Sequence, residues 1–509
     1  MNIFSKFALS ATTALCLAST LFADPVIRDC LLPIETSQRS GVELLRNVLE
    51  THTAHDSLGQ YDDTFTFRMK GTLFQKSQSR TTQPPYDPFP LEEEVVLKED
   101  GRELAVDQAF HWPNFVSRYR LVATEQEAFD LNMSSNAILE PYRTREERLL
   151  PRLIPLPALL VARVLESPDT VRLLGSASED DWRFDVVEGT VEGQRLRLYV
   201  DDQSRLRRVH RLVHRRLTGD SVETTELVGE QIIRGMRVPE QIRRRVDGEL
   251  TAELRLEPLD IDGPDRFALP ADFERPEERQ DELEIEKLAQ GVWIVGNIGG
   301  SDYNSLVVEQ NGTLVLLETP LNEEAMEDVL TLLQKKLPEL PVRTAMVTHH
   351  HYDHAGGVRA FMKRGGRLFV PQGAGKFFET IATAPHTLRP GIEEVDVENL
   401  VIEEVEGSVQ LRSDQGPDII LFDVGENAHS KSILFAWIPA YDLLFQGDLF
   451  VKRGEMVEPA REQGAVFLER IDELDLEPNR IVGVHGEIAT MKDLRRAVAL
   501  RTEREEVAQ

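Results

Sequence analysis

The chain predicts an α+β protein in two parts, a mainly antiparallel β region followed by a layered α/β domain. Three observations point there. From about residue 60, short runs alternating apolar and polar residues recur between turn residues, the pattern of half-buried antiparallel strands. Beyond about residue 290, apolar strand runs alternate with helical patterns, as in layered α/β folds. Between them, the charged, proline-bearing stretch "DFERPEERQDELEIEK" (272–287) has the composition of a domain edge. A length of 509 residues also exceeds what one hydrophobic core usually serves.

At the N-terminus, Lys6 precedes an apolar run from Phe7 to Leu21 and then Ala23. That is the layout of a cleavable export signal (1–23), and the run is too short and too poorly flanked for a stable membrane anchor. A periplasmic or secreted protein is therefore expected. Cleavage removes Cys16 and leaves Cys30, so the mature chain is expected to have no internal disulfide.

"SGVELLRNVLETH" (40–52) reads as an amphipathic helix capped by Ser40. The strand runs follow, among them "TFTFRMKGTLF", "EEVVLKEDGRELAV" and "ELTAELRLEPLDI", with Asp-Gly and Glu-Gly pairs suited to hairpin turns. "RLLPRLIPLPALLVARVLES" (148–167) interrupts them and is expected to form a short helix covering one face of the sheet. Pro151, Pro155 and Pro157 break it too often for a membrane span. In "RRVHRLVHRR" (207–216), basic and apolar residues alternate, which reads as the exposed face of a strand and not as an anion site.

The end of this region, closing with "FALPADF", together with "LRLYVDDQSRLRRV", resembles the half-barrel of periplasmic lipoprotein-carrier and lipoprotein-sorting proteins. The resemblance covers much of residues 40–275. It implies a half-barrel domain (24–275) with an apolar concave face, and it brings no catalytic residue.

The formal charge is −30. Residues 281–509 hold 22 Lys and Arg against 40 Asp and Glu, a balance of −18, which leaves −12 for the rest. A field of this sign over both halves repels phosphate backbones, so nucleic acid is not an expected partner.

In the second part, "YNSLVVEQNGTLVLLETP" reads as two strands, "NEEAMEDVLTLLQKKL" as a helix and "TAMVT" as a strand that opens into "HHHYDHAGG". Neutral imidazoles and carboxylates on rigid turns at strand ends are what Zn2+ favours, and a catalytic site keeps one position open for water. His349 and His351 alternate and can share one side of an extended turn, with Asp353 and His354 following as the chain bends. Further ligands are available at other strand ends: His429 in "FDVGENAHSKS", Asp448 in "YDLLFQGDLF" and His485 in "RIVGVHGE". His350 should point away from the others by alternation.

This series closely resembles the ligand set of the metallo-β-lactamase fold superfamily, in order and in separations of 75, 19 and 37 residues. The resemblance covers about residues 284–505 and implies an αββα sandwich with metals at one edge of two facing sheets. Carried over, His349, His351 and His429 would hold one Zn2+. Asp353, His354 and His485 would hold a second, and Asp448 would bridge them. A hydroxide between the two ions would be the nucleophile, with Asp353 as a catalytic group orienting it. The family usually has an aspartate at the end of "TLVLLETP"; here Glu318 is a candidate to reach the metal-binding turn. Tyr352 is expected to pack the turn, with a substrate contact as its other role. Lys431 is expected to be solvated, with an anionic substrate group as its alternative partner. "PQGAGKFFETIATAPHTLRPG" (371–391) is a candidate lid, with Lys376, His386 and Arg389 touching substrate.

The expected function is an exported zinc-dependent hydrolase of a small or amphiphilic ester, thioester, lactone or amide. Two alternatives stand beside it: a periplasmic lipid- or lipoprotein-binding module with an ancillary metal site, and an iron-dependent persulfide oxygenase. His351, where diiron flavoproteins of this fold have glutamate, favours hydrolysis.

Overall fold

A computed structural model describes residues 40–53, 64–98, 101–112, 116–139, 144–179, 182–260, 266–274, 282–389 and 392–508. The expected export signal, both cysteines and the middle of the 272–287 stretch lie outside the described residues. No helix among the described residues is long and apolar enough to cross a membrane.

The chain divides into two compact units. The first takes in the described residues up to Leu73, Phe89–Val213 and Ser221–Pro276, and the second takes in Phe74–Pro88, His214–Asp220 and Glu277–Gln509. Two short segments from early in the chain thus belong to the later unit, which a single cut near residue 280 does not capture.

The first unit is built on a 13-stranded sheet. Its strands pair antiparallel, and Thr64–Phe74 lies beside Glu249–Pro258, so the first and last strands of the unit are neighbours in mid-sheet. Turn chemistry follows the sequence: Glu192-Gly193 and Asp247-Gly248 all have positive φ, as two-residue hairpin turns matching strand twist require. Helix Gly41–His52 starts where Ser40 Oγ accepts a bond from Glu43 N at 3.1 Å. The proline-rich interruption forms two helices, Arg145–Leu153 and Pro157–Leu165, the first closed by a capping box between Thr144 and Glu147.

Leu149, Leu150, Leu153, Leu160 and Val164 from these helices share one core with strand residues such as Phe67, Val95, Leu198 and Leu254. The chain's own helices therefore cover the apolar face of the sheet. Two arginines enter this region already paired: Arg148 Nη2 lies 2.9 Å from Asp130 Oδ2, and Arg152 Nε lies 3.1 Å from Glu93 Oε2. Burying a guanidinium is tolerable only with such partners.

The basic run 207–216 departs from its expected exposed face. His210 and Arg211 are buried, Arg211 Nε lies 2.8 Å from Glu223 Oε1, and Arg207 Nε lies 2.8 Å from Asp201 Oδ2. The strand runs inside a wide sheet whose neighbouring strand, Gly219–Val228, supplies carboxylates. The alternation is that of ion pairing, which periodicity alone does not distinguish from solvation.

The second unit contains a seven-stranded sheet ending at Leu400–Val405 and a five-stranded sheet from Ser408–Leu411 to Arg480–Gly483. Continuous apolar strands sort by alternation into three layers. Leu306, Val308, Val315, Leu317, Met346 and Phe369 meet Leu434, Ala436, Ile438 and Phe445 between the sheets. Val307, Leu314, Leu316 and Leu368 face outward under helices Glu323–Lys336, Val358–Met362 and Gly375–Thr383. Phe435, Trp437, Leu444 and Ile481 face outward on the other side, with Phe467, Ile471, Leu494 and Ala497 from helices Glu462–Glu473 and Met491–Ala508. Burial on both faces is why "ILFAWI" shows no polar alternation. The result is an αββα sandwich preceded in the chain by a large antiparallel sheet, as the sequence predicts.

Candidate metal centre

Four strands of the sandwich end at the same place. Val342–Met346 opens into the turn bearing His349, His351, Asp353 and His354; Ile419–Asp423 leads to His429, Leu443–Gln446 to Asp448, and Arg480–Gly483 to His485. The histidine-rich turn can run this way because of its glycines. A Cβ on Gly356 would lie 2.0 Å from Leu321 O, and one on Gly357 would lie 2.0 Å from Met326 Cγ, so the chain passes close against residues 321–326.

The seven residues fall into two groups, each with its ligand atoms within 4.8 Å of one another: His349, His351 and His429, and Asp353, His354, Asp448 and His485. In the first, His349 Nε2 and His429 Nε2 are 3.0 Å apart. In the second, His354 Nε2 and His485 Nε2 are 3.3 Å apart, with Asp353 Oδ2 at 3.7 and 3.8 Å from them. Asp448 faces both: Oδ2 lies 3.3 Å from His429 Nε2, while Oδ1 lies 3.0 Å from His354 Nε2 and 3.1 Å from His485 Nε2.

These residues fit a pair of divalent cations. Asp448 Oδ1 is buried and makes no well-formed hydrogen bond among the described residues despite its two close imidazoles. A carboxylate oxygen ringed by imidazole nitrogens is a donor set that a cation satisfies better than protons do.

The electrostatics agree. Burial, reinforced by the neighbouring imidazoles, holds His349 and His351 well below the ordinary histidine range, and burial lowers His429 as well. These shifts favour the neutral imidazole, the form that binds metal. Burial opposes a proton on His354, but the carboxylates of Asp448 and Asp353 outweigh it and hold this imidazole well above its usual value. Burial likewise works against ionisation of Asp448, and His354 beside it reverses the balance, so its carboxyl lies well below the usual range.

Glu318 is fully buried and reaches the turn: its carboxylate accepts from Thr348 N at 3.1 Å and from Thr348 Oγ1, and its Oε2 lies 3.0 Å from His354 Nδ1. This contact assigns the Nδ1 proton of His354 and leaves Nε2 facing the group. The backbone at Glu318 has φ 82°, a costly conformation for a non-glycine residue, held by Glu318 N to Met346 O at 2.8 Å and Ser305 Oγ to Glu318 O at 3.0 Å. Tyr303 stacks edge-on to His485 at 4.5 Å; burial, with Asp353 nearby, pushes its hydroxyl above the ordinary tyrosine range.

His350 turns away, as alternation requires. It is buried with its ring 5.8 Å from Phe377, and burial lowers it to about 4. Tyr352 opens the short helix Tyr352–Ala355 and is 48% exposed, so part of its ring is covered and part faces solvent. Lys431 is exposed, as expected for a solvated lysine, while its backbone N bonds Arg80 O at 2.9 Å.

The candidate lid has other work. Gly375–Thr383 is a helix burying Phe377, Phe378 and Ile381 in the outer core, and Lys376 pairs with Glu379 on the same helix. The turn after it is tied down by Asp220, which accepts from Thr387 Oγ1 at 2.7 Å and Leu388 N at 3.0 Å, while His386 sits against His214 with ring centres 5.3 Å apart. The two adjacent phenylalanines supply the apolar face by which this helix packs into the outer core.

Two residues escaped the sequence reading. Gln78 Nε2 lies 3.3 Å from Asp353 Oδ1, and Ser79 O lies 3.1 Å from His351 Nε2. Neither belongs to a motif, and each sits more than 270 positions from its partner.

Residues 298–485 match the model of the metallo-beta-lactamase superfamily. An alkyl/aryl-sulfatase of Saccharomyces cerevisiae is 37% identical over 60 residues, 12% of this chain and 9% of the sulfatase, so the match spans less than a tenth of that relative. A type 2 metallo-beta-lactamase of Bacillus cereus is 22% identical over 221 residues, 40% of this chain and 77% of the relative. Among solved structures, a metallo-beta-lactamase from Pontibacter korlensis covers 43% of this chain and 99% of its own at 19% identity and a TM-score of 0.35.

Proposed function

With residues 298–485 forming a metallo-beta-lactamase superfamily domain, we propose that this protein is an exported binuclear metallohydrolase acting on a small or amphiphilic ester, thioester, lactone, amide or sulfate ester. The observation that carries this reading is the pairing of the two ligand groups through one carboxylate, Asp448, whose two oxygens face different groups. A purely structural site has no need of two adjacent groups sharing an edge.

In this reading His349, His351 and His429 would hold one zinc ion, and Asp353, His354, Asp448 and His485 would hold the other, Asp448 also facing the first group. Zinc bound there supplies Lewis acidity and lowers the pKa of bound water to about 7. The chain's own residues do the rest. Glu318 fixes His354 in the tautomer that presents Nε2, and Tyr303 packs His485 in place. Asp353 orients the attacking water, and Tyr352, exposed beside the ligand turn, is positioned to meet substrate.

The layout of residues 1–23 supports export. The type 2 metallo-beta-lactamase and the alkyl/aryl-sulfatase supply two substrates for a panel: a chromogenic cephalosporin and an alkyl sulfate, beside lactones and thioesters. Turnover of at least one by the zinc-loaded full-length chain, lost by about 100-fold or more in His351→Ala, is the expected result. Equal rates in the two proteins would overturn the reading.

A further inference from the structure

We propose that the segment Gln75–Asp87 is a built-in part of the metal centre and that Gln78 is a positioning residue for Asp353; the proposal rests on the binuclear reading above. Two contacts carry it. Ser79 O can only accept, so its 3.1 Å contact assigns the Nε2 proton of His351 and leaves Nδ1 as the nitrogen with a free lone pair. An amide nitrogen can only donate, so Gln78 Nε2 at 3.3 Å occupies Asp353 Oδ1. The other oxygen, Oδ2, is the one directed to His354 and His485 at 3.7 and 3.8 Å. The two contacts thus choose which atom of His351 and which of Asp353 remain for a cation.

The segment is itself held firmly. Asp87 Oδ2 accepts from Arg80 N at 2.6 Å and from Ser79 Oγ at 3.1 Å, and Asp87 N returns a bond to Ser79 Oγ at 2.8 Å. Arg80 O accepts from Lys431 N at 2.9 Å, two residues past His429, and Thr82 Oγ1 donates to Gly373 O at 3.1 Å. Ser79 is fully buried. One stretch therefore ties together the turn of His351 and Asp353, the loop of His429 and the turn at Gly373. A chance surface contact would not bury its central serine or close a reciprocal Ser79–Asp87 clamp.

The test uses the full-length chain, stripped of metal and titrated with Zn2+ alone by calorimetry, as wild type, Gln78→Ala and the shape-conserving Gln78→Leu. His429→Ala and His485→Ala backgrounds identify which step belongs to which group. Both Gln78 variants are expected to weaken the step of the Asp353 group by about 10-fold or more, with the step of the three-histidine group and the metal-free unfolding temperature unchanged. Wild type binding two ions while the Gln78 variants bind both with wild-type affinity, or with both steps equally weakened, overturns this proposal alone. Wild type that takes up no stoichiometric zinc overturns the binuclear reading and this proposal with it.

Discussion

Glu318 shows how much one buried side chain can govern. Its carboxylate meets Thr348 N and His354 Nδ1 inside the protein. Truncation in Glu318→Ala leaves both groups without an acceptor, and each orphaned buried donor costs about 1–3 kcal/mol. Chemical denaturation of the metal-free protein should show a loss of that order, and zinc affinity should fall about 10–100-fold. A second residue, His52, sets a pH limit on the first unit. Its Nδ1 bonds Arg237 O at 2.8 Å and its Nε2 accepts from Leu206 N at 3.1 Å, so the neutral ring is required. Burial accordingly lowers its pKa from 6.5. The unfolded chain therefore binds the proton more readily, and the stabilisation is present above pH 6.5 and fades as pH falls below it. Denaturation midpoints of wild type should drop between pH 7 and 5 more steeply than those of His52→Gln. The seven candidate ligands were legible because histidine and aspartate at strand ends carry their chemistry in their identity. Gln78 and Ser79 were not, since an amide and a backbone carbonyl acquire meaning only from distant partners.

Among the elements, strands of the sandwich were readable as apolar runs, and "NEEAMEDVLTLLQKKL" was readable as a helix; the structure adds its cap, Asn322, and shows acidic first-turn and basic last-turn residues. The segments harder to read are those whose pattern fits two environments. Residues 207–216 alternate equally well for solvent and for ion pairs, and 371–391 contains both turn residues and a helical apolar face. The histidine-rich turn depends on close approach as well as on its ligands. In Gly356→Ala the new Cβ would lie 2.0 Å from Leu321 O and 2.3 Å from Tyr352 O, and backbone atoms cannot step aside. Overpacking of this kind costs about 1–3 kcal/mol. Thermal unfolding should report that loss, and zinc binding should weaken in the same variant although no ligand has changed.

Across the whole molecule, the α+β class and its order were legible because each part has its own repeating signal, period-2 strands first and strand–helix alternation later. The membership of residues 74–88 and 214–220 in the second unit was not, because folding back of a hairpin loop leaves no composition signature. The central claim, that seven residues of one sandwich edge form a two-metal centre, is tested most directly by elemental analysis of the purified full-length chain beside His351→Ala and His485→Ala. About two zinc ions per wild-type chain, falling to about one in each variant, is the result this account predicts. Metal well below one per chain, or a single iron with oxygen uptake and no zinc, would contradict it.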